Sequence, residues 1–411
     1  VARSTEFTYL VTVVNPGSGN KYYMNGILQQ YITLFPGCTY EFDQSDGTNS
    51  THNLAFATLP DAASSSQYTT GVTTSGTPGN SGAYAKIEVT TSTPYRLYFY
   101  CTNHSGMGNE ITVQQAGGNT RAYYTGAYPS FSAQIGMTDM ASSGSFFDFG
   151  DMSEARYAVG AFGNTIRGCL FGGSPDGGTT VRNTIDQFFP LSAGNTSDFG
   201  DLTAGANYPV GASNDTRGIR FCGYSGGYLN VIDYVTLAVQ GNATDFGDAS
   251  AQKNSLAGAS STTRGIIGGG YQPSGIINVI EYVTISSTGN TTDFGDLSAA
   301  KSGICAASSS TRMLFAGGKT PSMINVMEYV TMASTGDVTD FGDLTAAKGD
   351  QKLAASNKTL ALFGGGRTPS AVATTNRVNI ASTGDGASYG DILTAGGYNQ
   401  SSSSTGHGGL A

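Results

Sequence analysis

Asp-Phe-Gly-Asp occurs five times in this chain, starting at Asp148, Asp198, Asp245, Asp293 and Asp340, and a weaker copy, Ser388-Tyr389-Gly390-Asp391, closes the series. The copies are 47 to 50 residues apart. A fixed period of this length marks a repeat fold in the range of propeller blades, and it is too long for leucine-rich or tetratricopeptide units. Each copy carries the same inner order. Small residues and often a cation follow the motif, as in Leu297-Ser298-Ala299-Ala300-Lys301. A small-residue strand comes next, then a basic residue opening an apolar strand that ends in a glycine doublet, as in Arg264 to Gly269. An alternating strand such as Val279-Ile280-Glu281-Tyr282-Val283-Thr284 and a turn, Ser287-Thr288-Gly289-Asn290, lead back to the motif. Four short strands per unit, joined by Gly/Ser/Asn turns, are therefore expected.

Four-stranded units at this period read as blades. Five units are expected from about 148, 198, 245, 293 and 340. A sixth is expected from 120–147 plus 388–411, so that terminal strand exchange closes a six-bladed propeller and leaves no long sheet edge exposed. The glycine doublet, the downstream Tyr and the small-residue-plus-cation segment resemble kelch repeats over residues 120–411. Phe149, Phe199, Phe246, Phe294 and Phe341 stand where that family has Trp, a residue this chain lacks. The glycine-rich units also resemble blade repeats in virion proteins of marine cyanobacterial phages. The Asp pairs are expected to cap turns. Arg121, Arg167, Arg217, Arg264, Arg312 and Lys358 are expected to make contacts between blades. Asp-Phe-Gly also occurs in kinases, but five copies without His-Arg-Asp or Val-Ala-Ile-Lys exclude that reading.

Residues 1–115 do not repeat. Strands are expected at 7–14, 30–34, 39–42, 53–57, 85–89, 95–101 and 110–113, with a long loop over 60–83, giving a β-sandwich. A linker at 116–119, containing Gly117-Gly118, separates it from the repeats. Two of the chain's three histidines fall here. His52 follows a polar turn and precedes Asn53. Near the end stands Cys101-Thr102-Asn103-His104-Ser105-Gly106-Met107, a loop between two strands. A thiolate, two imidazoles and a weak thioether are the ligand set of a blue-copper site. This segment resembles a Greek-key cupredoxin of the plastocyanin and amicyanin type across residues 6–115. The resemblance implies His52, Cys101, His104 and Met107 as copper ligands, with Asn53 supporting the thiolate. Asn103 departs from it, standing where that family often has Pro. The plain alternative is a metal-free module in which Cys101 is a buried thiol or pairs with Cys38. Cys169, Cys222 and Cys305 read as small core residues.

Composition narrows the function. Only 12% of residues are charged, the net charge is −9 and no Lys/Arg cluster occurs, so neither nucleic acid nor an anionic membrane is an expected partner. No apolar run approaches bilayer-spanning length. The chain opens on Val1 with no apolar leader behind it, and a processed chain or a portion of a longer one is expected. Residues 116–411 contain one histidine, His407, which excludes the His-rich copper chemistry of galactose-oxidase-like and nitrous-oxide-reductase propellers. The leading expectation is a non-enzymatic virion protein, a phage fibre, tail or capsid-decorating component. It would be oligomeric in its assembly, contacting other virion proteins and a host-surface glycan or protein. A copper electron carrier and a bacterial cell-surface adhesin are the alternatives.

Overall fold

A computed structural model describes residues 6–30, 32–34, 38–90, 93–94, 96–113, 120–126, 131–141, 145–190, 194–351, 353–393 and 401–404. The chain is all-β and divides into two compact units, Val1–Gly118 and Asn119–Ala411. The expected linker, 116–119, lies outside the described residues.

Among its described residues the first unit has eleven strands: β1 (Glu6–Val14), β2 (Lys21–Met24), β3 (Ile27–Leu28), β4 (Ile32–Leu34), β5 (Thr39–Asp43), β6 (Leu54–Ala57), β7 (Gln67–Tyr68), β8 (Val72–Ser75), β9 (Tyr84–Glu88), β10 (Arg96–Cys101) and β11 (Asn109–Val113). They form one sheet in the order β3-β2-β1-β5-β9-β8 and a second in the order β4-β11-β10-β6-β7. Val11, Tyr22, Phe42 and Ile87 from one sheet meet Phe56, Leu97, Phe99 and Ile111 from the other in a single apolar core. Four strands lie outside the sequence expectation. The β2–β3 hairpin turns on Asn25-Gly26, both at positive φ (50° and 83°), the backbone of the two-residue turn that Asn-Gly favours. The expected loop over 60–83 contains a 3₁₀ segment, Pro60–Ser65, and strands β7 and β8. β8 is mostly exposed, so burial leaves little apolar pattern in its sequence.

Among its described residues the second unit contains six four-stranded antiparallel sheets. We number them by their first strands: Gly160–Gly163, Val210–Ser213, Ala257–Ser260, Cys305–Ser308, Leu353–Ser356 and, for the sixth, Ser401–Ser404. Ser401–Ser404 pairs with Arg121–Thr125, so the two ends of the repeat region share one sheet. The unit boundaries differ from the expectation by one strand. Asp-Phe-Gly-Asp is the fourth strand and closes each sheet rather than opening it. Thus Ala387–Asp391 completes the fifth sheet, and Phe147–Asp151 the sixth. Among the described residues, six apolar cores lie between consecutive sheets, one of them joining Ile266 and Phe294 of the third sheet to Met313 and Phe315 of the fourth. The last joins Tyr123 and Phe149 of the sixth sheet to Val159 and Leu170 of the first.

Hydrogen bonds stitch these sheets together at both edges. Along the first strands, Ser213 Oγ donates to Gly163 O, Ser260 Oγ to Ser213 O, Ser308 Oγ to Ser260 O, Ser356 Oγ to Ser308 O and Ser404 Oγ to Ser356 O, all at 2.7–2.8 Å. At the fourth strand, Phe246 O accepts from Gly289 N at 2.7 Å, and Asp248 N donates to Asn290 Oδ1 at 2.9 Å. The same pair of bonds joins the other Asp-Phe-Gly-Asp strands to the next sheet's turn. The expected capping by Asp side chains is therefore replaced by backbone pairing. The turn's own Asn or Asp supplies the side chain, because the motif's backbone runs along the turn. The glycine is required: a Cβ at Gly247 would lie 2.5 Å from Gly289 O, and φ there is +145°.

The arginines bridge sheets as expected. Arg217, Arg264 and Arg312 lie 4.5–4.6 Å from the Tyr234, Tyr282 and Tyr329 rings. Each donates to a carbonyl of the following sheet, at Ile285, Met332 and Ile380 respectively. Arg167 and Arg121 bond Leu237 O and Pro190 O in the same way. Lys358 is the exception. It is exposed in the turn, and Leu360 opens its strand at the arginine position. At that seam Tyr389 replaces the motif's Phe, and its hydroxyl meets Asp139 O and Thr138 Oγ1 of the sixth sheet.

Each of the first four sheets also buries an ion pair: Arg156–Asp186, Arg220–Asp233, Lys253–Glu281 and Lys301–Glu328. A hydroxyl from Ser153, Thr203, Ser250 or Ser298 completes each pair. In the fifth sheet Asn376 occupies the acid's place. Lys348 instead donates to Thr374 O and Oγ1 at 2.7 and 2.8 Å, and burial pushes its pKa down to about 8.

Two outcomes follow from this packing. Gly247→Ala should cost about 2–5 kcal/mol through backbone strain and overlap. Gly227→Ala, with open space around it, should stay within about 0.5 kcal/mol. Equal denaturation midpoints would contradict the seam. Lys348 releases its proton in the folded chain at a pH where the unfolded chain keeps it, so its contribution to stability rises with pH from about 8 to the ordinary lysine value. Relative to Lys348→Met, the wild type should gain up to about 3 kcal/mol across that window. A pH-independent difference would contradict it.

Candidate metal centre

Cys101 ends β10, and the loop from Thr102 to Gly108 carries His104 and Met107 before β11 begins. The loop is clamped from three directions. Asp61 carboxylate oxygens accept from Gly106 N at 2.9 and 3.1 Å. Lys21 Nζ donates to Gly106 O at 2.5 Å, and Gln29 Nε2 to Gly108 O at 2.6 Å. Asn103 Nδ2 donates to Thr51 O at 2.8 Å, tying the loop to the residue before His52. Gly108 has no alternative, since a Cβ there would fall 1.7 Å from Phe99 O.

His52 arrives on the other loop. Asp46 caps a 3₁₀ turn, Gly47–Asn49, by accepting from Thr48 N, and His52 N then donates to Asn49 O at 2.8 Å. Its carbonyl accepts from Tyr22 Oη at 2.9 Å and from Gln44 Nε2 at 2.8 Å. Both donors lie in the core, so the backbone at His52 is fixed from inside.

The two loops place His52 Nδ1 3.8 Å and His104 Nδ1 3.6 Å from Cys101 Sγ. All three ligand atoms lie within 4.8 Å of one another. A metal bound at about 2.0–2.3 Å to one sulfur and one imidazole nitrogen, at trigonal to tetrahedral angles, sets those donors about 3.5–3.8 Å apart. The observed separations fit a single ion between them. A soft thiolate with two imidazoles suits copper or zinc and disfavours hard cations. His52 and Cys101 are buried (7% and 4% exposed), whereas His104 is exposed. Desolvation, followed by the nearby His104, lowers the His52 pKa. The ring is thereby kept in the neutral, ligating form at neutral pH.

Of the expected residues, His52, Cys101 and His104 converge. Met107 is buried on the same loop, in the apolar cluster that contains Cys101, and its carbonyl accepts from Tyr22 N at 3.0 Å. Asn53 does not take the expected role. It is exposed in the loop just before β6, and its backbone carbonyl accepts from Thr102 N at 3.0 Å. Cys38 and Cys101 are both free thiols, which removes the disulfide alternative. Cys169, Cys222 and Cys305 are buried as expected, and burial raises the pKa of the first two. Tyr22, Gln44, Asp61 and Asn20, whose amide nitrogen is 3.3 Å from His52 Nε2, escaped the sequence reading. The Asn25-Gly26 turn was the one available signal, since it defines the hairpin that presents Asn20 to Tyr22.

Zn(II) tests this centre without oxidising the thiol. At a hundredfold excess over Kd it should stabilise the chain by about 2.7 kcal/mol. Cys101→Ser and His104→Ala should each lose most of that shift. An unchanged melting curve on adding Zn(II), or full stabilisation of Cys101→Ser, would contradict the assignment.

No family model matches the chain, and no curated protein matches its sequence. The functional reading therefore rests on the residues themselves.

Proposed function

We propose that this chain is a non-enzymatic structural and binding protein made of a copper-binding, cupredoxin-type β-sandwich and a six-bladed, kelch-like β-propeller. The observation that carries the first part is the pairing of two imidazole nitrogens with one thiol at 3.6 and 3.8 Å. The donor set is that of a blue-copper centre, with Met107 as the weak fourth ligand that such a site uses. Bound there, copper would supply reversible one-electron chemistry, and the chain's part is to fix the thiolate and imidazoles from two clamped loops.

The propeller reading is supported by six sheets of equal strand number, by small residues in every first strand and by the terminal strand pairing. The cycle of inter-sheet cores supports it too. Such an array leaves its loops as the variable, binding surface. With low charge and Ser/Thr/Asn/Tyr-rich loops, those surfaces suit adaptable hydrogen bonding to glycans or proteins. We place this platform on a virion, among other virion proteins and facing a host surface. An electron-carrier role is the second reading. It is favoured by the exposure of His104 beside two buried ligands, which gives the centre one edge open to a redox partner.

Cu(II) loading should give an intense blue thiolate-to-copper band that is missing in Cys101→Ser. Colourless copper protein would count against the centre. Quantitative mass spectrometry of purified particles should find this chain at a fixed copy number. Its absence would remove the virion setting and leave the copper module untouched.

A further inference from the structure

The loops between the second and third strands begin at equivalent positions in successive sheets: Ser174, Tyr224, Tyr271, Lys319 and Arg367. Each makes an isolated backbone bridge to the segment before its own first strand, at Tyr157, Asn207, Asn254, Ser302 and Gly349. Their backbones are thus held alike while their side chains differ. Cations occupy only the last two positions, on neighbouring loops of the fourth and fifth sheets. Those loops border an open cleft of about 750 Å³. Small-molecule sites usually fall between about 300 and 1,000 Å³.

Both cations line this space, and one carboxylate outside its lining, Asp350, pairs with both. Asp350 Oδ2 lies 2.6 Å from Lys319 Nζ and 2.6 Å from Arg367 Nε. The Asp350 side chain is 17% exposed, against 24% for Lys319 and 34% for Arg367. The carboxylate therefore sits behind the cations, and the three groups sum to one positive charge. Pro321, Met323, Ala346 and Pro369 supply apolar walls, and Ser322 and Thr368 supply hydroxyls. The two loops share an internal hydrogen bond, Thr320 N to Ser322 O and Thr368 N to Ser370 O, each 2.8 Å. The site is built before any ligand arrives.

We propose that this cleft binds a carboxylated saccharide. A single net positive charge matches one carboxylate better than a dianionic phosphate. Proline, methionine and alanine walls fit the C–H face of a sugar ring, and the hydroxyls fit its polar edge. The chain's net charge of −9 repels anions at long range, so capture depends on contact within the cleft rather than on steering. This proposal deepens the platform reading above and rests on it.

The probe is a galacturonosyl-galactose disaccharide, which carries one carboxylate, with neutral digalactose as its control, titrated calorimetrically into the full chain. Saturable binding of the acid is expected, weakening as salt rises. Lys319→Gln should weaken it about tenfold, the loss of one charge-assisted hydrogen bond. Ala346→Phe, which narrows the cleft from an exposed position without touching the ion pairs, should weaken it at least as much. Equal binding of the neutral disaccharide, unchanged affinity in Ala346→Phe, or no binding of the acid would each overturn the proposal. The platform reading fails separately, if purified particles lack the chain.

Discussion

The repeat region depends on glycine at the third position of Asp-Phe-Gly-Asp. A four-stranded sheet with two apolar faces cannot stand alone in water, so each sheet survives only by docking on its neighbours. Docking at the fourth strand brings one backbone against another. At Gly150, Gly200, Gly247, Gly295 and Gly342 a Cβ would fall 2.2–2.5 Å from the carbonyl of the next sheet's turn glycine. Removing the side chain lets the turn lie against the strand and exchange hydrogen bonds with it. Along the first strands, serine hydroxyls repeat the device with short side chains, where anything larger would separate the strands. Between these two seams lies the apolar core, crossed by the arginine that links one sheet's Tyr to the following sheet's carbonyl.

The candidate metal centre follows a different logic. Repeats hold their parts by regular recurrence, whereas His52, Cys101 and His104 are held by irregular loops braced from the core. Tyr22 and Gln44 grip the His52 carbonyl, and Asp61, Lys21 and Gln29 grip the loop after His104. The donors consequently reach metal-binding separation by structure already present in the protein alone. Such preorganisation keeps the cost of ordering ligands out of the binding step. Both fold types thus serve one end, rigid placement of a few side chains.

Much of this was legible in the sequence, for identifiable reasons. The period of Asp-Phe-Gly-Asp revealed the four-stranded units because each unit solves the same docking problem with the same residues. His52, Cys101 and His104 stood out because histidine is scarce and the cysteine-to-histidine spacing fits one loop. What stayed hidden depends on the third dimension. The motif's partner is a turn about 40 residues later in the next sheet, so its backbone role resembled local capping. Lys358 looked like a member of the arginine series, although the strand begins two residues later at Leu360. The buried ion pairs were equally obscure. Arg220 supplies the cation from a second strand where its counterparts, Arg156, Lys253 and Lys301, precede the first, so no fixed spacing marks the set. The Asn25-Gly26 hairpin was legible and overlooked, and with it the strand that carries Tyr22.

On the function proposed above, one thiolate and two imidazoles of this chain share a single copper ion. Copper K-edge X-ray absorption on the copper-loaded full chain tests it directly. One short thiolate sulfur and two imidazole nitrogens are expected in the inner coordination sphere, with that short sulfur signal absent from Cys101→Ser. A sphere of nitrogen and oxygen alone in the wild type would contradict it.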